Sequence, residues 1–170
     1  MKTGSQRPGI GERQPEAVRA ADLATLLALN NDHAAELSLL DAASFERLLG
    51  NAFLARQSTG ADAFVVAFDE TGDYDSPNFL WFKKRYERFL YIDRVVVAPA
   101  ARGRGLARAL YDSVFAAADS AGIGRVVCEI NIDPPNPASL RFHETLGFRQ
   151  VGGATLYPSG KTVGYHERTL

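Results

Sequence analysis

The densest chemistry in the chain lies in six residues, Arg102-Gly103-Arg104-Gly105-Leu106-Ala107. Glycines at 103 and 105 let the backbone turn tightly and expose consecutive N–H groups with no Cβ in the way. Leu106, Leu110, Val114 and Ala117 then recur at helical spacing, so the loop feeds directly into a helix. The first N–H groups of a helix lack intrahelical partners and carry the positive end of its dipole, which makes them a seat for phosphate or pyrophosphate. Arg102, Arg104 and Arg108 add side-chain donors around that seat. A solvated Gly-containing turn accounts for the same residues. A P-loop does not, because no Gly-Lys-Ser/Thr is present. A dinucleotide fingerprint fits poorly, since Arg108 stands where a small residue belongs and Pro99-Ala100-Ala101 separates strand from loop. Glu129, suitably far downstream for a ribose contact, keeps that reading open.

Asp93 is the other conspicuous polar group. It interrupts an apolar strand, where burial would push its carboxyl towards neutrality; pairing with a nearby arginine is the alternative. The stretch from Asp73 to Phe89 contains Tyr74, Trp81, Phe82 and Tyr86, which either line an aromatic acceptor cleft beside Asp73 or Asp75 or complete the core or a dimer contact. Lys83-Lys84-Arg85 reads as a solvated face, and no RNP, zinc or helix-turn-helix pattern points to nucleic acid.

These groups need elements to hold them. A strand near Glu16–Arg19 precedes a helix over about 20–30, with Leu23, Leu26, Leu27 and Asn30 on one face. Asp41 or Ser44 caps a second helix carrying Phe45, Leu48 and Leu49. Residues 52–56 and 63–68 read as paired strands, and 79–88 as a short amphipathic helix. The β-branched run ending at Val97 is a strand stopped by Pro99. A helix follows over about 105–121, ended by Gly122, and then a strand over 125–132. Asn136 caps a helix with Pro137 at its first position, and two strands, 148–156 and 161–169, close the chain. Only the second half has strand–helix–strand crossovers, so a mixed α/β arrangement of the α+β type with a partly antiparallel sheet is expected.

At 170 residues and net charge −1, one ordinary globular domain is expected over 13–170, after a polar flexible segment over 1–12. No apolar run approaches the roughly 20 residues that span a bilayer, and the neutral balance offers no field for nucleic acid or an anionic membrane. A single Cys128 gives no intrachain disulfide and no metal-binding spacing, and fits a cytoplasmic setting.

Two segments taken together identify a resemblance. Val97-Ala98-Pro99 followed by residues 102–107 resembles the Gln/Arg-x-x-Gly-x-Gly/Ala signature of the GNAT superfamily of N-acetyltransferases, with Arg102, Gly105 and Ala107 in its defined places. Asn136-Pro137-Ala138-Ser139-Leu140-Arg141-Phe142-His143 through Gly147-Phe148 resembles the family's second motif, in the expected order and separation. The pair covers about residues 90–150. The implied fold is a single GNAT-like domain with a mixed sheet of about six to seven strands flanked by helices.

The resemblance implies acetyl-CoA as cofactor and the amine of a small molecule, amino acid or peptide as acceptor, in a protein type where homodimers are common. It implies that Val95, Val96 and Val97 bind the pantetheine arm through main chain, as an added strand would. Residues Arg102, Gly103, Arg104, Gly105, Leu106 and Ala107 would hold the pyrophosphate. Asn136 matches a position near the pantetheine, although a plain N-cap explains it equally. Cys128-Glu129-Ile130-Asn131 resembles the family strand whose Glu in some members activates the amine, so Glu129 is the first candidate base and Asp93 the second; a satisfied structural carboxylate is the alternative for each. The segment before Asn136 is two residues longer than usual, which loosens that register. His143 stands where the family places Tyr, as the candidate acid. It also fits as a spacer, with Tyr111, Tyr91 or water carrying the proton. His33 and His166 have no such context. A non-catalytic acyl-CoA-binding module and, less well, a nucleotide-dependent oxidoreductase remain as alternatives.

Overall fold

Seven strands form one sheet in the computed structural model, which describes residues 14–170; the expected flexible segment 1–12 lies outside the described residues. The strands are β1 (Glu16–Ala17), β2 (Leu54–Gln57), β3 (Ala63–Asp69), β4 (Leu90–Val97), β5 (Arg125–Asp133), β6 (Arg149–Leu156) and β7 (Lys161–Thr169). Their order is β1-β2-β3-β4-β5-β7-β6. Only β4 and β5 are parallel neighbours, and every other pairing is antiparallel. The helices are α1 (Leu23–Asp32), α2 (Ala42–Asn51), α3 (Pro77–Lys83), α4 (Leu106–Ser120) and α5 (Pro137–Thr145). The expected mixed sheet is present. The second crossover differs from a simple βαβ unit, because β7 inserts between β5 and β6.

Alternation along the strands builds a core on each face. On one face Val65, Leu90, Ile92, Val126 and Cys128 pack under α4 residues Leu110, Tyr111 and Val114. On the other, Phe64, Val66, Phe68, Tyr91 and Val127 meet Leu26 of α1, Phe45 of α2 and Phe79 and Phe82 of α3.

Two helices differ from the sequence reading. The helix expected over 79–88 ends at Lys83, because the N–H groups of Arg85 and Tyr86 both turn back to the Phe82 carbonyl and β4 starts at Leu90. Its apolar spacing is still used: Phe79, Phe82, Tyr86 and Phe89 pack on one another without a continuous helix. The first helix begins as a 3-10 turn at Ala20–Asp22, and its α-helical part runs on to Asp32.

The sheet has one structural weakness. β4 pairs with β5 only at Leu90↔Val126 and Tyr91↔Val127. Just beyond, Asp93 is an extra residue in β4, since Val66 faces Arg94 while Ala67 faces Ile92. A bulge bends the strand that carries it and re-aims its side chains. Here it accompanies the divergence of β4 from β5 and turns Asp93 and Arg94 towards the same face.

Candidate active site

The divergence opens a cleft through the sheet, walled by Ile92 to Val95 on β4 and Cys128 to Asn131 on β5. Among the described residues, the β5-facing backbone of β4 past Tyr91 has no strand partner. Val95, Val96 and Val97 lie along that edge, so they offer the free main chain that an extended ligand needs. At its far end, a Pro99–Ala101 turn leads into the glycine loop. Gly103 and Gly105 have φ of 77° and 80°, a left-handed conformation that side chains with a Cβ rarely adopt. Gly105 is the N-cap of α4 and supplies no side-chain cap, leaving the first N–H groups of a 15-residue helix available.

The three arginines around this loop are not equivalent. Arg104 Nη1 is 2.8 Å from Asp62 Oδ2, and Arg108 Nε is 3.0 Å from Asp112 Oδ1. Arg102 has no acidic partner among the described residues; its Nη2 lies 3.4 Å from His33 Nε2. His33, dismissed from sequence, therefore sits beside the loop.

The cleft brings together the sequence-predicted groups, but on opposite sides. Glu129 faces the α1–α3 side, where Tyr165 is its cross-strand partner. Its Oε2 is sealed from solvent and has no hydrogen-bond partner among the described residues. Burial, and then the nearby Asp93 carboxylate, push the Glu129 carboxyl up to about 8, with Tyr91 and Asn78 partly offsetting them. Asp93 is on the same side in a different state. Its Oδ1 accepts the Tyr74 hydroxyl at 2.6 Å and its Oδ2 is 2.6 Å from Arg94 Nε, so it is the paired carboxylate of the two readings.

His143 and Tyr111 occupy the α4–α5 side. The Tyr111 hydroxyl is 2.6 Å from His143 Nε2, and His143 Nδ1 is 2.7 Å from the Ser139 carbonyl. A carbonyl only accepts, so Nδ1 carries the hydrogen and Nε2 accepts from Tyr111. Burial lowers the imidazole pKa to about 4, against a raising effect of the Ser139 carbonyl. His143 is therefore neutral at pH 7 with both ring nitrogens engaged. Asn136 caps α5, its Oδ1 accepting from Ser139 N at 3.1 Å, and it also lines the cleft.

The aromatic cluster resolves towards core. Phe82 is fully buried, Tyr74 stacks on Phe68, and Trp81 is sandwiched between Tyr165 and the Arg85 guanidinium. Lys83, Lys84 and Arg85 are exposed, as expected of a solvated face. Sequence reasoning missed Asn30 and Arg94. Asn30 is fully buried and Arg94 is 6% exposed, with Arg94 Nη1 donating to Asn30 Oδ1 at 2.7 Å. The signal was an asparagine on the apolar stripe of α1.

Residues 45–148 match the family described as the acetyltransferase (GNAT) family. A phosphinothricin N-acetyltransferase of Streptomyces coelicolor is 45% identical over 58 residues, a match spanning 34% of this chain and 33% of that relative's length. Among solved structures, the ribosomal-protein-alanine N-acetyltransferase of Brucella melitensis superposes with a TM-score of 0.66 at 21% identity, covering 92% of this chain and 99% of that one. Arabidopsis thaliana NAA60 in complex with acetyl-CoA gives 0.66 at 16% identity, covering 92% and 98%. At these identities the superpositions speak to the fold.

Proposed function

This chain belongs to the acetyltransferase (GNAT) family, and on that premise we propose that it is an acetyl-CoA-dependent N-acetyltransferase acting on the amine of a small molecule, amino acid or peptide. The observation that carries the reading is the cleft itself. Among the described residues it joins an unpaired strand edge, a helix N-terminus with no side-chain cap beside an arginine without an acidic partner, and a carboxyl held near neutrality. Acetyl-CoA would supply the activated acyl thioester. The main chain of Val95, Val96 and Val97 would bind its extended arm, and residues 102–107 its pyrophosphate, with a cation from Arg102, which has no acidic partner among the described residues. Asn136 would contribute its remaining amide hydrogens.

Glu129 is the base in this reading. An ammonium ion is not a nucleophile, and a carboxylate whose pKa is about 8 accepts its proton more readily than an ordinary one. Asp93, held on both oxygens, orients its neighbours rather than taking a proton. His143 enters as the holder of the Tyr111 hydroxyl: Nε2 accepts its hydrogen bond and fixes its orientation. The lone, buried Cys128 supports a reducing, cytoplasmic setting.

Release of free thiol from acetyl-CoA tests the function directly. The acceptors to try are phosphinothricin, an alanine-initiated peptide, amino acid amides and a simple alkylamine. Thiol release dependent on an amine, with the N-acetyl product seen by mass, is the expected result. Acetyl-CoA binding without release for any amine sinks it.

A further inference from the structure

The loop between α1 and α2, residues 33–41, separates two spaces. Its Glu36 and Leu37 wall the central cleft. Its Ser38 and Leu40 wall a second cavity, lined also by Leu48 of α2, Phe68 of β3 and Tyr74. Arg94 lines both. The second cavity is thus a neighbour of the cleft, parted from it by a segment without helix or strand.

A continuous chain of polar contacts holds that segment. Asn30 Nδ2 donates to the Ser38 carbonyl at 2.9 Å, and Asn31 both donates to the Leu40 carbonyl at 2.9 Å and accepts from Leu40 N at 3.0 Å. Asn30 Oδ1 in turn accepts from Arg94 Nη1 at 2.7 Å, Arg94 Nε pairs with Asp93 at 2.6 Å, and Asp93 accepts the Tyr74 hydroxyl at 2.6 Å. Both side chains of the ion pair are 5% exposed. Desolvating two charges offsets most of their attraction, so well-packed apolar residues would hold a core at least as firmly. What directional contacts do provide is one fixed geometry. The bulge at Asp93 serves the same end, since it presents two successive residues to one face.

We propose that Asn30, Arg94, Asp93 and Tyr74 are positioning residues that latch this loop between the two spaces, and so restrict the acceptor to a compact amine. With the latch undone, the cleft and the cavity behind the loop join. Leu40, Leu48 and Phe68 then receive a bulky apolar substituent next to the reacting amine. The inference rests on the N-acetyltransferase reading above, and deepens it to an acceptor size class.

The test compares Asn30→Ala and Tyr74→Phe with the parent enzyme, using alaninamide and phenylalaninamide as acceptors. The ratio of kcat/KM for the bulky over the compact amide cancels any loss of active protein. It is expected to rise about tenfold in Asn30→Ala, the scale on which pocket shape separates related substrates, and less in Tyr74→Phe, with the KM for acetyl-CoA unchanged. An unchanged ratio in both variants overturns the proposal. Hydrogen exchange at the Leu37 and Leu40 amides, read without any substrate, is expected to quicken in Asn30→Ala; unchanged exchange also overturns it. Should Asn30→Ala not fold, Tyr74→Phe keeps its ring on Phe68 and carries both readouts. A parent enzyme that acetylates no amine defeats the functional reading instead, and exchange then decides whether the latch exists.

Discussion

Glu129 and Asp93 share a cleft, yet their surroundings differ. Asp93 has a guanidinium and a phenol on its two oxygens, whereas Glu129 has an orphaned Oε2. The Glu129 carboxyl titrates near 8 rather than at its ordinary 4.5, so the base form grows as pH rises through about 8. kcat/KM is expected to rise over that range in the parent enzyme, and Glu129→Gln to lose both the rise and most of the rate, by about 10² to 10⁴ for a lost general base. The stability sign runs the other way. Between pH 4.5 and 8 the folded protein holds a proton that the unfolded chain releases, so this contribution is full at low pH and lost as pH climbs. Glu129→Gln is therefore expected to raise Tm most above pH 8, checked by thermal unfolding across pH. A pH–rate profile identical to the parent's would remove Glu129 from the mechanism. His143→Phe is a different lesion: it frees the Tyr111 hydroxyl, lowering turnover while acetyl-CoA affinity and the pH rise persist.

At the scale of elements, the glycine loop was readable because its chemistry is local. Positive φ, a helix start and an arginine cluster all follow from adjacent residues. Which arginine is free was not readable, because Asp62 lies 42 positions from Arg104 and meets it only through the β2–β3 turn. The same separation predicts unequal mutants. Arg102→Ala removes a cation with no acidic partner among the described residues, and a charge-assisted contact is worth about 1.5–3 kcal/mol, or roughly ten- to a hundredfold in acetyl-CoA affinity. Arg104→Ala mainly releases an exposed pair worth about 1 kcal/mol or less. Calorimetric titration with acetyl-CoA should rank them in that order and show a shallower salt dependence for Arg102→Ala. Equal losses would mean that the Asp62 pair opens on binding. Equally non-local is the bulge of Ile132, since Asn131 faces Val163 of β7 while Asp133 faces Thr162.

For the whole molecule, the sheet is two paired halves, β1–β4 and β5–β7, joined through two residue pairs of β4 and β5 and by the helices packed across them. Apolar alternation and crossover spacing made the mixed sheet legible, but not the insertion of β7 beside β5, the bulge at Asp93, or the loop held by Asn30. The first two are pairings between strands distant in the chain, and Asn30, though only eight positions from Ser38, is itself held by Arg94, 64 positions away. The joint between the halves is also where a bound ligand would act. A molecule lying along the free edge of β4 with its phosphates on α4 supplies contacts that the sheet lacks there, whereas both cores are already closed on their own helices. Ligand at a hundredfold its Kd stabilises a folded protein by about 2.7 kcal/mol, and for a chain of this size each kcal/mol is worth roughly 2–4 °C of Tm. Acetyl-CoA is therefore expected to raise Tm by about 5–11 °C at that concentration. Exchange protection should appear at residues 93–97 and 102–107 while the amides of β2 and β3 change little. A uniform gain in protection across the sheet would instead mean that the two halves already behave as one rigid body, with no cleft held apart for the cofactor.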